Sequence, residues 1–76
     1  MDAYILIQTE VGRGAAVARD VAAVQGVSFA DVIAGPYDVI VRARTRSIDE
    51  LGRLVVAKLQ AIEGVTRTLT CPIIHV

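Results

Sequence analysis

The chain has 76 residues and carries eight basic and eight acidic side chains, so it has no excess of positive charge to draw it to a phosphate backbone, and direct nucleic-acid binding is not expected. Its one cysteine excludes an internal disulfide, and its apolar runs of only a few residues fall far below the ~20 needed to cross a bilayer. The start Met1-Asp2 lacks a basic leader, so a cytoplasmic protein of one domain, residues 1–76, is expected. Hydrophobic residues make up 54% of the chain and its mean hydropathy is positive. A chain of this size buries only about 60% of the surface its unfolded form exposes, so much of that apolar area is expected to face another copy.

Ala3 to Thr9 is rich in β-branched and aromatic residues and is interrupted by Val11-Gly12-Arg13-Gly14, which reads as a strand and a turn. From Ala15 to Gln25 the alanine content and the spacing of Val17, Val21 and Val24 predict a helix that Gly26 stops. Val27 to Ala34 and Asp38 to Thr45 are strand-like, and Gly35-Pro36-Tyr37 between them predicts an antiparallel hairpin.

Ser47 and Glu50 form an S-x-x-E capping box ahead of a second helix, with Ile48, Leu51, Val55, Leu59 and Ile62 along one face and Gly64 as its stop. Val65 to Val76 reads as a last strand, in which Pro72 implies an edge position or a bulge. Val24-Gln25-Gly26-Val27 and Ile62-Glu63-Gly64-Val65 repeat one pattern at the two helix-to-strand junctions. Two βαβ units with right-handed crossovers then make an α+β, ferredoxin-like βαββαβ plait: a four-stranded antiparallel sheet with both helices on one face.

That arrangement leaves one sheet face uncovered. In the first strand Ala3, Ile5 and Ile7 oppose Tyr4, Leu6 and Gln8, so both faces are largely apolar. In the third, Val39, Val41 and Ala43 oppose Asp38, Ile40, Arg42 and Arg44, a mixed face that suits an interface better than a core. A sheet-to-sheet dimer of the α+β barrel type is the expected solution.

The segment Ile33-Ala34-Gly35-Pro36-Tyr37-Asp38-Val39-Ile40-Val41 resembles the G-x-Y-D hairpin of the effector-binding (RAM) domains of Lrp/AsnC-type regulators, and Ile62-Glu63-Gly64-Val65 resembles the turn before their final strand. The resemblance covers essentially the whole chain, including Thr66, Thr68 and Thr70, but not the helix-turn-helix domain of full-length regulators. It implies a homodimer that assembles into rings, a small-molecule effector such as an amino acid bound between dimers near Gly35, Pro36, Tyr37 and Asp38, and full-length regulators as partners. The chemistry of the loop agrees: a glycine lets backbone N–H groups approach a carboxylate, and an aspartate accepts hydrogen bonds from an ammonium group. Pro36 removes one donor.

Each residue also has a simpler role. Asp38 can cap the hairpin as an Asx-type turn with no ligand, and Tyr37 can anchor a subunit interface. Thr68 and Thr70 are candidate ligand contacts, although β-propensity alone accounts for them. Cys71 and His75 share a strand face but stand about 13 Å apart at ~3.3 Å per residue, too far to share a metal ion, and Cys71 is expected to be a small buried hydrophobe. Arg42, Arg44, Arg46 and Arg67, with Asp49 and Glu50 nearby, read as a solvated, charge-balanced surface. No cofactor is expected. The alternative is a cofactor-free monooxygenase or isomerase of the same barrel type, which the lack of an acid/base pair or an activated nucleophile disfavours. An ACT-type regulatory domain has the same strand order but fits the loop less well.

Overall fold

A computed structural model describes all residues, Met1–Val76. The strands are β1 (Asp2–Thr9), β2 (Val27–Val32), β3 (Val39–Arg44) and β4 (Val65–Pro72), and the helices are α1 (Gly14–Ala22) and α2 (Ile48–Arg53), the latter continuing as a π-helical stretch, Leu54–Leu59. The strands form one antiparallel sheet in the order β2-β3-β1-β4, which is the ferredoxin-like βαββαβ plait. β4 is an edge strand, in keeping with Pro72 at its end, and residues 73–76 extend beyond it rather than belonging to it.

The core sits between one sheet face and the helices. Ala3, Ile5 and Ile7 of β1 and Val39, Val41 and Ala43 of β3 are fully buried there, packed with Val17, Ala18 and Val21 of α1 and Leu51, Leu54, Val55 and Leu59 of the second helix. Helix α1 ends at Ala22, three residues short of the expected limit, and Val24 packs only partly against the core.

The cap of the second helix is as expected on one side. The Glu50 N–H donates to Ser47 Oγ at 3.1 Å, but the Glu50 carboxylate takes Arg46 Nε at 3.1 Å instead of closing the box. Further along, Gln60 N–H donates to the Val55 carbonyl five residues back, at 2.9 Å. Leu54, three residues after Leu51 and so on the same helix face, enters the core beside Val55, and the wider turn follows it. Ile48, expected on the buried stripe, stands in the first turn directly after the cap and is exposed.

The repeated junctions are the same in three dimensions. Gly26 and Gly64 both have φ of +97°, which a side chain rarely adopts, and in both the N–H of the following valine donates to the carbonyl three residues back at 3.2 Å (Val27 to Val24, Val65 to Ile62). Their surroundings differ: a Cβ at Gly64 would stand 3.2 Å from Arg13 and Val17, whereas one at Gly26 would stand 3.5 Å from the Arg44 carbonyl.

Candidate functional site

The Gly35–Asp38 loop connects β2 to β3 and is clamped to the end of β1. The hairpin closes with Ile33 N–H donating to the Asp38 carbonyl at 2.9 Å, and Asp38 N–H donates to the Ile7 carbonyl at 2.9 Å. The Thr9 N–H points to the same edge of β1 as the Ile7 carbonyl, where β3 has already turned away. Asp38 supplies the missing acceptor: Thr9 N–H donates to its Oδ2 at 2.8 Å, and the Thr9 hydroxyl lies 3.4 Å from the same oxygen. The aspartate therefore caps β1, 29 residues away, and not its own turn, as an Asx-type role requires. Gln8 Nε2 completes the clamp by donating to the Pro36 carbonyl at 3.0 Å.

Two sets of atoms in this loop stay free. Asp38 Oδ1 makes no hydrogen bond within the chain, and neither do the backbone N–H groups of Gly35 and Tyr37. Gly35 and Pro36 are exposed, Tyr37 and Asp38 half-buried, and no atom stands within 4 Å of the place a side chain on Gly35 would take. The grooves of the chain lie elsewhere, so the loop offers donors and an acceptor without walls.

The fold does not bring the candidate threonines to this loop. Thr68 and Thr70 pair with Ile7 and Ile5, which places them on the helix side of β4, and β1 separates that strand from β3. The Thr68 hydroxyl already accepts from Gln60 Nε2 at 2.9 Å. Gln8 and Thr9, in contrast, hold the loop in place and had no local signal beyond being the polar end of an apolar strand. A register shift beside them, between Gln8 and Thr9, ends the regular β1–β4 ladder.

The uncovered sheet face carries Tyr4 and Leu6 of β1, Ile40 and Arg42 of β3, Phe29 of β2 and Leu69 and Cys71 of β4, as their cross-strand partners require. Phe29 is 39% and Leu69 44% exposed. Cys71, expected to be buried, is exposed because it pairs with Tyr4 on this face and no element of the chain covers it. Arg42 and Arg44 are not balanced by Asp49 or Glu50. Both reach Asp2, at 3.5 and 2.9 Å, and Arg42 also donates to the Tyr4 hydroxyl at 3.0 Å with its guanidinium 5.3 Å from the ring centre. The hydrogen bond from Arg44, helped by the charges of Arg44 and Arg42, holds the Asp2 carboxyl below its ordinary range against the opposing effect of desolvation.

Comparison with known proteins agrees with this geometry. The model of the Lrp/AsnC ligand-binding domain matches residues 2–76. Two uncharacterised HTH-type transcriptional regulators, from Pyrococcus abyssi and Pyrococcus horikoshii, are 37% and 35% identical to it over 71 residues, 90% of this chain and 47% of theirs. The chain thus spans about half the length of the curated relatives it matches. Among solved structures, TTHA0845 of Thermus thermophilus superposes with a TM-score of 0.92 at 28% identity, covering 99% of this chain and 94% of that one. AsnC of E. coli does so with 0.90 at 21%, covering 97% and 50%. A transcriptional regulator of Neisseria meningitidis in complex with L-Met shares the fold with a TM-score of 0.84 at 16% identity, covering 97% and 49%. With the plait, the G-x-Y-D hairpin and the whole-length match in place, the chain belongs to the Lrp/AsnC ligand-binding domain family.

Proposed function

We propose that the Gly35–Asp38 loop binds an amino acid or a related zwitterionic metabolite, and that copies of the chain associate through the uncovered sheet face and then into rings whose equilibrium the ligand biases. The observation that carries this reading is the state of the loop. Asp38 is pinned at Oδ2 by Thr9 while Oδ1 is free to accept from an ammonium group, and the N–H groups of Gly35 and Tyr37 are free to donate to a carboxylate. A loop with both halves of the recognition chemistry and no walls is a partial site, and a neighbouring copy is the natural source of the rest. The L-Met complex of the Neisseria protein supports the ligand class. Such a module performs no reaction; it shifts an assembly by the difference in the ligand's affinity for two states, and it reaches transcription through mixed assembly with DNA-binding regulators of the kind its relatives are named for. In this reading Thr68 and Thr70 belong to the strand and not to the loop site.

Native mass spectra recorded with each of the twenty amino acids test the proposal, because mass reports assembly and occupancy together. A charge-assisted hydrogen bond contributes about 1.5–3 kcal/mol, so Asp38→Ala should weaken binding by about tenfold or more. Asp38→Asn keeps an acceptor for the Thr9 N–H but loses the charge, so it should also lose ligand while retaining the wild-type melting temperature. A monomer that takes up none of the twenty, or equal affinity in both variants, would overturn the reading.

A further inference from the structure

The chain is neutral as a whole, but its charge is not evenly spread. A groove of about 620 Å³ runs between the second helix and the corner joining α1 to β2, a size typical of small-ligand sites. Arg44, Arg46, Arg53 and Lys58 line it, half of all the basic residues, and Glu50 is the only carboxylate among the lining side chains. Arg44 is engaged by Asp2, and Arg46 by Glu50. Arg53 and Lys58 have no carboxylate within 4 Å, so two cations on one helix wall form no ion pair, and Asp49, one helical turn before Arg53, lines the adjoining hollow.

From this geometry we infer that the groove is a second ligand site, separate from the Gly35–Asp38 loop, and that it takes an oligophosphate: two or more linked phosphate groups. The ligand must be anionic, because only two of the ten lining residues are hydrophobic and the unpaired groups are cations. Linked phosphates fit better than a single one. Arg53 and Lys58 are five residues apart, about one turn of the π-helical stretch, so they stand on the same side of the helix, and Arg44 and Arg46 line the same groove. A lone phosphate meets one or two of these four cations, whereas a chain of phosphates extends along the groove to the others. No aromatic side chain lines the groove, so nothing there stacks a base, and a nucleoside attached to the phosphates would go unread. Arg44 ends β3 and Asp38 precedes it, so the groove and the loop stand at opposite ends of one strand and bind independently.

Titration calorimetry with sodium tripolyphosphate at low salt tests this. Arg53 and Lys58 are both exposed, so Arg53→Ala/Lys58→Ala and the milder Arg53→Gln/Lys58→Gln should keep the wild-type melting temperature. Tripolyphosphate should bind the wild type and bind either double variant at least tenfold more weakly, with Arg19→Ala, on α1 outside the groove, and Asp38→Ala unchanged. ATP should match tripolyphosphate, since the phosphates alone are recognised. Absence of binding at millimolar tripolyphosphate, equal binding by the double variants, or binding of a 20-base-pair duplex but not of tripolyphosphate would each overturn the assignment. Failure of amino-acid binding at the loop would leave these results untouched.

Discussion

The two faces of β1 differ in what covers them. Ala3, Ile5 and Ile7 are fully buried under the chain's own helices, while Tyr4 and Leu6, a step away on the same backbone, are only half-buried and lie beside exposed Phe29 and Leu69. The apolar content of the two faces is similar, so hydrophobicity by itself does not separate core from surface here. Charge does separate them. The helix side of β1 and β3 is free of ionised side chains, whereas the open side holds Arg42 and Arg44 converging on Asp2. The open face thus combines large apolar groups with a compact charge network, the mixed composition on which the proposed association rests.

Substitutions sharpen this contrast. Ile5→Ala on the covered face should cost about 2–5 kcal/mol, comparable with the whole stability of a chain this small, and abolish the cooperative thermal transition. Leu6→Ala, its neighbour on the open face, should cost only about 1 kcal/mol in dilute solution. A cost as large as that of Ile5→Ala, at concentrations where the chain is monomeric, would break the comparison. Leu6→Arg should leave the secondary structure intact by circular dichroism and lower the association state in sedimentation experiments; unchanged association would remove the open face as an interface. Tyr4→Phe deletes the hydroxyl that accepts from Arg42 and should cost about 0.5–1.5 kcal/mol.

The smallest effect should be the one that acid removes. The folded Asp2 carboxyl titrates below its ordinary value of 3.8, so the folded state gains from its ionisation. That gain is fully present above the ordinary value and disappears as pH falls through the lowered one. Wild type should therefore melt above Asp2→Asn near neutral pH, with the gap narrowing below about pH 4. A gap that persists unchanged in strong acid would show that Asp2 acts through shape and not charge.

Most of the fold was legible along the chain because its signals are local. The S-x-x-E cap, the valine spacing in α1 and the Gly-Val pairs at the two junctions each act within a few residues, and each marks the element or junction it was read to mark. The π turn that follows Leu54 was not legible, because no residue between Leu54 and Leu59 marks a helix irregularity. Cys71 misled for a related reason. A small apolar residue in a strand is usually buried, but only its pairing with Tyr4 tells which side of the sheet it faces.

The candidate site divides in the same way. Gly35-Pro36-Tyr37-Asp38 stands out in the sequence because a hairpin needs turn residues there and an aspartate next to a strand is chemically conspicuous. That Asp38 caps β1, that Gln8 holds Pro36, and that Thr68 and Thr70 lie away from the loop depended on strands brought together across 28 or more residues. The grouping of Arg44 and Arg46 with Arg53 and Lys58 was equally invisible, since a linear reading joins the first two to Arg42 and Arg67 instead. Local propensity and periodicity determined the elements and their order; long-range packing decided which polar atoms were used up and which were left free. Hydrogen bonds and charges act over a few ångströms in space, whatever the distance along the chain.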